Sequence, residues 1–299
     1  MDRKLLLVVN PIAGQRRANR SLAEIVRVFN EAEYRCEIYV TGASGDATNY
    51  IAAHAEQFDR VVCIGGDGTL NEAVTGVLRS GESRVIGYIP AGSTNDFAAS
   101  LNLSMDVVQA ARDASGLGMM DLDIGTFNER PFIYTAACGA FARVSYSVPQ
   151  SAKNSLGHLA YVLEGIRDIS SLRPFHLSVT TEDRELDGDF LFCSVTNSTS
   201  VGGVLKLDTE RVLFNDGRFE VLLVRNPKNP RELSDILWAL SSMEVPTDLV
   251  EFFHAGHITV DADQPLEWSL DGEKQSAVTH ADMHNLHEAI RLAVPAETP

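Results

Sequence analysis

Hydrophobic and polar positions follow two different patterns along the chain, and the change falls near residue 120. In the first part, short apolar runs such as Lys4–Asn10 and Arg60–Ile64 are typical of buried strands. Arg17–Asn30 carries apolar residues at helical spacing. Strands that alternate with helices along the chain predict a parallel sheet with helices on both faces. The same reasoning predicts strands at Cys36–Val40 and Val85–Ile89 and helices at Asp46–Gln57, Thr69–Leu78 and Ser93–Leu101.

Beyond Asp121, apolar and polar residues alternate with the period of a strand, and turn signals such as Asp187-Gly188 separate the runs. This pattern predicts an antiparallel β domain, interrupted by helices at Leu156–Ser171 and Pro230–Ser242. The predicted strands are Phe132–Ala137, Phe175–Thr180, Phe190–Thr196, Arg218–Val224 and His257–Asp261.

The sequence therefore predicts an α/β fold with two domains, a parallel-sheet domain at residues 1–120 and a larger antiparallel, β-rich domain at residues 121–299. The boundary falls near Ala114–Met120, where glycine and small residues concentrate. The C-terminal tail is free to pack back on the first domain. We expect the chemistry at the carboxyl ends of the parallel strands, in a cleft between the domains.

Charge narrows the classes of partner. The chain has 41 acidic and 25 basic residues, for a formal net charge of −16, and such a surface repels nucleic-acid phosphates. The longest aliphatic run is Leu5–Val9, whereas a membrane-spanning helix needs about 20 apolar residues. The sequence predicts no nucleic-acid binding and no transmembrane segment.

Two further features indicate a cytoplasmic protein. The chain enters its first apolar run after four residues, and that run is shorter than the apolar region of a secretory signal. Its four cysteines are widely spaced in apolar or strand-like surroundings, which predicts buried thiols rather than a disulfide framework or a zinc site. They are Cys36, Cys63, Cys138 and Cys193.

Three predicted strands end in loops that carry glycine or asparagine before a helix, at Asn10–Gly14, Gly65–Thr69 and Pro90–Phe97. Glycine lets backbone N–H groups approach phosphate oxygens, and a helix N-terminus adds unpaired donors and a favourable dipole. Thr69 and Thr94 can add hydroxyl donors. Because successive strand ends meet at one edge of a parallel sheet, the three loops together predict a phosphate site.

The loops match neither G-x-x-x-x-G-K-[ST] nor a G-x-G-x-x-G after the first strand. Asp67 in the second loop would repel a polyphosphate unless a divalent cation lies between them, so it indicates Mg²⁺. The alternative is a turn aspartate that bonds to its own backbone.

These segments resemble a known family. NPIAG, IGGDGTLNEAV and IPAGSTNDFA are similar to the three motifs of the diacylglycerol kinase catalytic superfamily, in its bacterial soluble lipid kinase branch. The similarity continues through LGHLAYVLEGI, VGGVLKLD, FNDGRFEV and WSLDGE, so it spans nearly the whole chain. GGDGT is shared with NAD kinases, whereas its combination with GSTNDFA and a late DGE is specific.

The resemblance implies ATP and Mg²⁺ as cofactors and assigns roles to individual residues. Glu273 is the implied general base, with Asp271 and Asp96 beside it in the metal and water network. Asp216 is the implied ligand of a structural Mg²⁺, helped by backbone carbonyls near Leu213 and Arg218. The residues implied to line the nucleotide are Asn10, Gly14, Thr41, Gly65, Gly66, Asp67, Gly68, Thr69, Thr94 and Asn95.

The implied reaction is phosphorylation of a lipid hydroxyl, with diacylglycerol as the first candidate acceptor. The chain departs from the family where basic residues are replaced by Gln15, Ala99, Ser100 and Glu164. In the family those basic residues belong to a charge network next to the metal and mark substrate preference. Their replacement leaves the nucleotide motifs undisturbed. The alternatives are a sphingoid-base kinase, an NAD kinase-like activity, and a non-catalytic nucleotide- or lipid-binding module.

A lipid substrate implies transient contact with the inner face of the membrane, and a homodimer is left open. Arg143, Lys153, Arg167 and Arg173 could touch anionic headgroups, although a solvated helix face explains them as well. Trp238 predicts an amphipathic helix that packs on the core, with lipid contact as the second interpretation.

Three histidines in the C-terminal tail have two interpretations. His280, His284 and His287 would share one face of a helix, which would indicate a metal site. The resemblance favours strand, turn and strand instead, in which that spacing disappears. His254 and His257 are interpreted as surface or edge-strand residues.

Overall fold

The computed structural model describes residues 3–13, 17–139, 173–198, 200–201, 205–206, 213–242 and 248–296. By its internal contacts the chain divides into unit 1, Met1–Asp123 with Glu288–Pro299, and unit 2, Ile124–His287. Several residues considered above lie outside the described ranges: Leu156–Ser171, Gly14, Gln15, Arg143, Lys153, Glu164 and Arg167.

Unit 1 is built on a parallel sheet. Its strands run in the order β2-β1-β3-β4, and each neighbouring pair is parallel. Alternate residues of β1 face opposite sides of the sheet, and Leu5, Leu6, Leu7 and Val8 are all fully buried. Both faces are therefore covered, as a parallel sheet requires. The strands are β1 (Arg3–Val9), β2 (Tyr34–Val40), β3 (Arg60–Gly65) and β4 (Val85–Pro90).

In the described part of unit 1, five α-helices follow these strands, and four of them coincide with predicted helices. α5 is the addition, and Asp106 caps it by accepting hydrogen bonds from the N–H groups of Val108 and Gln109. The buried face of α5 is made of Ala110, Ala111 and Ala114, which give little apolar contrast in sequence. The helices are α1 (Arg17–Glu31), α2 (Asp46–His54), α3 (Asp67–Ser80), α4 (Asp96–Ser100) and α5 (Val107–Ser115).

Unit 2 is an antiparallel sheet with one described helix, α6 (Pro230–Ser242), at the predicted bounds. Strands follow the order β16-β15-β7-β9-β8-β14-β17, and β12 lies between β9 and β13. The strands from β5 onward are β5 (Met119–Phe127), β6 (Arg130–Phe132), β7 (Thr135–Gly139), β8 (Phe175–Thr181), β9 (Glu185–Thr196), β10 (Ser200–Val201), β11 (Leu205–Lys206), β12 (Phe219–Arg225), β13 (Val250–Ala255), β14 (His257–Leu266), β15 (Trp268–Leu270), β16 (Glu273–Lys274) and β17 (Val278–Ala293).

The core of unit 2 includes packed aromatic rings. Phe132 and Phe219 stack with ring centroids 5.7 Å apart, and Phe127 packs against Trp268 at 5.1 Å. Alternation along β17 is clear, since Ala281 and Met283 are buried, Asp282 between them is half-buried, and His280 and His284 on either side are exposed. This burial fixes the register of β17 and therefore which of its polar residues share the open face.

The C-terminal histidines lie on a strand, so the helical interpretation is wrong. β17 runs through all three, and its last residues Arg291 and Leu292 pair with β4 in unit 1. A single positive φ of 48° at Glu288 interrupts it, where the Glu288 N–H donates to Asp123 Oδ1 at 2.7 Å.

The four cysteines are free thiols, and three of them are buried. Cys36 is half-buried, so the prediction that all four are buried is wrong there, because β2 is the outermost strand of the parallel sheet. Burial raises the pKa of Cys63 to about 12, which makes it a poor nucleophile. Among the described residues, no helix is both long and apolar enough to cross a lipid bilayer.

Candidate active site

Four loops of unit 1 leave the sheet at its carboxyl edge. Asn10 follows β1, Thr41 follows β2, Gly66 follows β3 and Ala91 follows β4. Because these strands are parallel neighbours, the loops meet at one edge, where ligands bind in open α/β sheets. We call them the carboxyl-edge loops.

Hydrogen bonds join the first loop to its neighbours. The Asn10 N–H donates to the Ile64 carbonyl at 3.0 Å, and Asn10 Nδ2 donates to Thr69 Oγ1 at 3.1 Å. The Thr41 N–H donates to the Val9 carbonyl at 3.0 Å. The NPIAG turn is thus fixed to the GGDGT loop through the side chain of Asn10.

Glycine is required where the second and third loops approach each other. A Cβ on Gly92 would lie 2.5 Å from Gly66 Cα, and a Cβ on Gly65 would lie 2.2 Å from Thr69 Oγ1. Real Cβ atoms do not come so close, so these positions admit only glycine in this arrangement. The two backbones form a cradle without side chains, as a polyphosphate site needs.

α3 begins inside this cradle. Gly66 caps it without a side-chain hydrogen bond, and the Gly66 carbonyl accepts from the N–H groups of Thr69 and Leu70. The first N–H groups of a helix have no partner within the helix, and the helix dipole there favours an anion. The sequence prediction of a phosphate-binding helix N-terminus thus has the geometry it needs.

Asp67, the first residue of α3, links the second loop to the third. Its side chain is buried, Oδ2 accepts the Asp96 N–H at 2.9 Å, and Oδ1 accepts the Tyr88 hydroxyl at 3.4 Å. These partners come from α4 and β4, so Asp67 is more than a turn residue bonded to its own loop. Burial, and next the negative charge of Asp67, raise the pKa of Tyr88, so its hydroxyl stays a donor.

Asn95 holds the third loop in a left-handed turn. Its φ is 53°, Oδ1 accepts the Gly92 N–H at 2.9 Å, and Nδ2 donates to the Gly92 carbonyl at 3.1 Å. Asn95 is buried, whereas Thr94 and Asp96 on either side are exposed. The residue expected among the nucleotide contacts therefore shapes the loop, and its neighbours present their side chains outward.

In unit 2, Asp271 and Glu273 occupy a hairpin between β15 and β16. Asp271 and Gly272 have φ of 48° and 82°, and Leu270 pairs with Glu273 across the turn. The segment is therefore not extended, so the alternation that would place both acids on one side does not apply. Asp271 is buried, whereas Glu273 is exposed.

The Asp271 carboxylate is anchored by backbone donors. It accepts the N–H groups of Ile133 at 2.7 Å, Tyr134 at 2.9 Å and Thr135 at 3.1 Å. Its own N–H donates to the Thr135 carbonyl at 2.9 Å. Asp271 thus fixes the hairpin to the start of β7, and the hairpin carries Glu273.

Glu273 has a cationic neighbour that the sequence reasoning did not find. Arg130 Nη2 lies 3.3 Å from Glu273 Oε2, and Arg130 also bonds to Gln275. Arg130 is far from the DGE motif in sequence, and only the fold brings them together. The contact of Tyr88 with Asp67 was not predicted from the sequence either. The polar hydroxyl of a tyrosine within the apolar run VIGYIP was the signal that could have indicated it.

Asp216 lies in a turn between residue 213 and β12. It is exposed, and its Oδ1 accepts the Arg218 N–H at 2.9 Å, next to Gly217 with φ of 76°. Leu213 is 58% exposed. The turn leaves one oxygen of Asp216 outside this bond, which is compatible with a cation ligand and equally with a plain turn.

Comparison with known proteins identifies the family. Residues 4–127 match the diacylglycerol kinase catalytic domain, and residues 135–294 match the YegS C-terminal NAD kinase beta sandwich-like domain. A diacylglycerol kinase of Bacillus subtilis (strain 168) is 30% identical, over 97% of this chain and 96% of that protein. A diacylglycerol kinase of Staphylococcus saprophyticus is also 30% identical, over 99% and 96%. The chain belongs to the diacylglycerol kinase catalytic domain family, and it is a lipid kinase.

Solved structures show the same fold. A crystal structure of a diacylglycerol kinase from Bacillus anthracis str. Sterne superposes with a TM-score of 0.75 at 20% identity, over 98% of this chain and 97% of that one. A second structure from that organism gives a TM-score of 0.79 at 23% identity, over 98% and 95%. The predicted combination of a parallel-sheet domain and an antiparallel β-rich domain is confirmed.

Proposed function

We propose that this enzyme transfers the γ-phosphoryl group of ATP, with Mg²⁺, to the free hydroxyl of diacylglycerol, forming phosphatidic acid. The convergence of the carboxyl-edge loops carries the proposal, above all the hydrogen bond from the Asp96 N–H to Asp67. It joins the two family motifs that would face the phosphates. The names of the relatives support the acceptor.

Unit 1 supplies the residues for the nucleotide. The N–H groups at the start of α3 and the glycine cradle of Gly65, Gly66, Gly68 and Gly92 would hold phosphate oxygens. Thr69 and Thr94 would donate hydroxyl hydrogen bonds. Asn10 fixes Thr69 by the 3.1 Å bond to its Oγ1, so the two motifs act as one support.

Asp67 and Asp96 make the site selective for a phosphate that arrives with a divalent cation. Two carboxylates beside a polyphosphate would otherwise repel it, and Mg²⁺ is bound through carboxylates and substrate phosphates. When bound, the ion neutralises charge that builds up on the transferred group. Asp67 is held by Asp96 and Tyr88, so its carboxylate is positioned before the cation arrives.

Unit 2 supplies the base. A lipid hydroxyl is a weak nucleophile, and a carboxylate within hydrogen-bond reach can accept its proton as the bond to phosphorus forms. Glu273 takes this role because it is exposed at the end of a hairpin that Asp271 anchors. Arg130 orients the Glu273 carboxylate from 3.3 Å. Asp271 is then a positioning residue, since its oxygens are occupied by three backbone N–H groups.

Asp216 is proposed as the ligand of a structural Mg²⁺, with backbone carbonyls near Leu213 and Arg218. Its exposed carboxylate and its short turn support this role.

We further propose that the enzyme works at the inner face of the membrane without crossing it. α6 supports this, because it buries Leu233, Ile236 and Leu240 and leaves Trp238 54% exposed. An exposed indole on an amphipathic helix suits the headgroup region of a bilayer. Self-association as a homodimer stays a prediction.

Transfer of label from ATP to a panel of acceptors tests the function. Wild-type enzyme would be incubated with γ-³²P-ATP, Mg²⁺ and mixed micelles of diacylglycerol, monoacylglycerol or a sphingoid base, with NAD in a parallel reaction. We expect diacylglycerol to be the best acceptor. Preferred labelling of the sphingoid base or of NAD would contradict the proposal, and label in none of them would indicate a non-catalytic module.

A further inference from the structure

A cluster of three metal-ligating side chains lies in unit 2, outside the residues assigned to phosphoryl transfer. His257 on β14 and Asp282 and His284 on β17 have their ligand atoms within 4.8 Å of one another. Among the described residues this is the group of histidines, cysteines and acids that meets that spacing. We call it the His-Asp-His cluster.

Strand pairing brings the three together. His257 lies directly opposite His284 in the antiparallel pair of β14 and β17, and Asp282 is two residues from His284 on the same face. The two imidazole rings stack with centroids 4.0 Å apart and planes 6° from parallel. Both rings point the same nitrogen at the carboxylate, with His257 Nε2 2.7 Å from Oδ1 and His284 Nε2 3.2 Å from Oδ2.

The backbone around the cluster is held by hydrogen bonds of its own. Asn128 Oδ1 accepts the Asp282 N–H at 2.8 Å, and the Asn128 N–H donates to the Asp282 carbonyl at 2.9 Å. The His257 N–H donates to Glu182 Oε1 at 2.7 Å. The ligand set is therefore carried by rigid strands, and a bound ion would require little ordering of the chain.

Two other histidine–acid groups on this face show what sets the cluster apart. His176 touches Asp189 through Nδ1 and Asp187 through Nε2, so its two carboxylates lie at opposite ends of one ring. His280 meets a single acid, Asp261, at 2.7 Å. Neither group brings three ligand atoms within 4.8 Å of one another, whereas the His-Asp-His cluster does.

The chemistry of the donors suits a transition metal. The ligating forms are neutral imidazole for histidine and the ionised carboxylate for aspartate. Two imidazoles and one carboxylate are a ligand set of zinc sites that keep positions for water. The three side chains are 40–51% exposed, so an ion and its water ligands can reach them.

We propose that His257, Asp282 and His284 bind one divalent metal ion of the kind represented by Zn²⁺. The bound ion would link β14 to β17. Binding through Nε2 uses the neutral tautomer of each histidine, in which the ring proton lies on Nδ1. Mg²⁺ does not replace it, because Mg²⁺ prefers oxygen ligands.

Zinc titration of the full-length chain, with any affinity tag removed, tests the site. Competition with a chromophoric zinc indicator, in excess Mg²⁺ to occupy oxygen sites, should give about one Zn²⁺ per chain. His284→Ala should weaken binding at least about tenfold, the lower limit for disturbing a zinc site. His280→Ala is the matched control, an exposed histidine on the same strand and face, and should keep wild-type affinity. Zinc should raise the Tm of wild type by a few degrees and that of His284→Ala by less.

Circular dichroism without zinc checks that His284→Ala folds, and His257→Gln is the second variant if it does not. Wild-type zinc affinity in both His284→Ala and His257→Gln would overturn the proposal. Equal losses in His280→Ala and His284→Ala would also overturn it, because they would indicate scattered surface binding.

Discussion

The backbone N–H of Asp96 donates to the carboxylate of Asp67 at 2.9 Å. This bond ties the first turn of α4 to the first turn of α3, so two family motifs separated by 29 residues form one surface. A second contact, from the Tyr88 hydroxyl to Asp67, comes from the strand between them. Asp67 therefore shapes the loops, and we propose that it also faces a cation.

Asp67→Asn separates these two roles. The amide keeps the shape of the side chain and an oxygen for the Asp96 N–H, but it removes the charge that attracts Mg²⁺. We expect the rate of lipid phosphorylation to fall by about 10²–10³, the effect of deleting one electrostatic stabiliser. A thermal melt on the same sample provides the control, since a Tm near wild type shows that the loops survive. Normal turnover by Asp67→Asn would contradict the assignment of Asp67 to the phosphate site.

Gly92→Ala tests the close approach of the second and third loops. The new Cβ would lie 2.5 Å from Gly66 Cα and 2.7 Å from Asn95 Oδ1, so the loops must separate. We expect a loss of about 1–3 kcal/mol in stability and weaker ATP binding, measured by denaturant unfolding and by calorimetry. Ser93→Ala, at the exposed next position, is the matched control. If Gly92→Ala bound ATP as wild type does, the cradle would not be the nucleotide site.

Asp271→Asn examines the anchor of the hairpin. Asparagine accepts the left-handed turn at this position, but its amide has one acceptor oxygen for three backbone N–H groups. Hydrogen bonds to a charged group contribute about 1.5–3 kcal/mol, so we expect a Tm lower by roughly 4–8 °C. Glu273→Gln, two residues away and exposed, should leave the Tm unchanged. An unaltered Tm in Asp271→Asn would mean that the buried carboxylate does not stabilise the fold.

Asp216→Asn tests the proposed structural cation. Metal that binds the native state alone adds stability as RT ln(1 + [L]/Kd). Wild type should therefore show a rise in Tm with Mg²⁺ in the absence of ATP, and Asp216→Asn a smaller one. Asp183→Asn, at another exposed turn, should behave as wild type. Equal rises in Asp216→Asn and wild type would leave Asp216 as a plain turn residue.

Sequence patterns sufficed for the parallel strands of unit 1, for helices α1 to α4 and for the loops that meet at the carboxyl edge. In unit 2 they predicted β7, β8, β9, β12, β14 and α6 and missed the other strands. They worked in unit 1 because a run of apolar residues buried on both faces, as in β1, leaves few other structures. The histidines of β17 also fit a helical spacing, so their sequence pattern did not decide between helix and strand. α5 was not predictable in this way, since its buried face is alanine. Contacts between side chains that are distant in sequence were not predictable either. Arg130 meets Glu273, and His257 meets His284, only because distant strands pair in one register.

The left-handed turn at Asp271 shows a different limit. The dipeptide Asp271-Gly272 is typical of a hairpin turn. If the segment were extended instead, Asp271 and Glu273 would lie on the same side of the strand. The fold selected the hairpin, which buried one acid and exposed the other. The assignment of Asp271 as an anchor, and the proposal of Glu273 as the base, therefore rest on burial, which sequence alone does not show.

The role of Glu273 as general base is tested by the rate of phosphatidic acid formation in wild type and in Glu273→Gln, with ATP affinity measured on the same preparations. Glutamine keeps the shape and the contact with Arg130 but removes the proton acceptor. The account predicts labelled phosphatidic acid from wild type, a rate lower by roughly 10²–10⁴ in Glu273→Gln, and equal ATP affinity in both. A Glu273→Gln rate within a few-fold of wild type, or no phosphatidic acid from wild type, would contradict it.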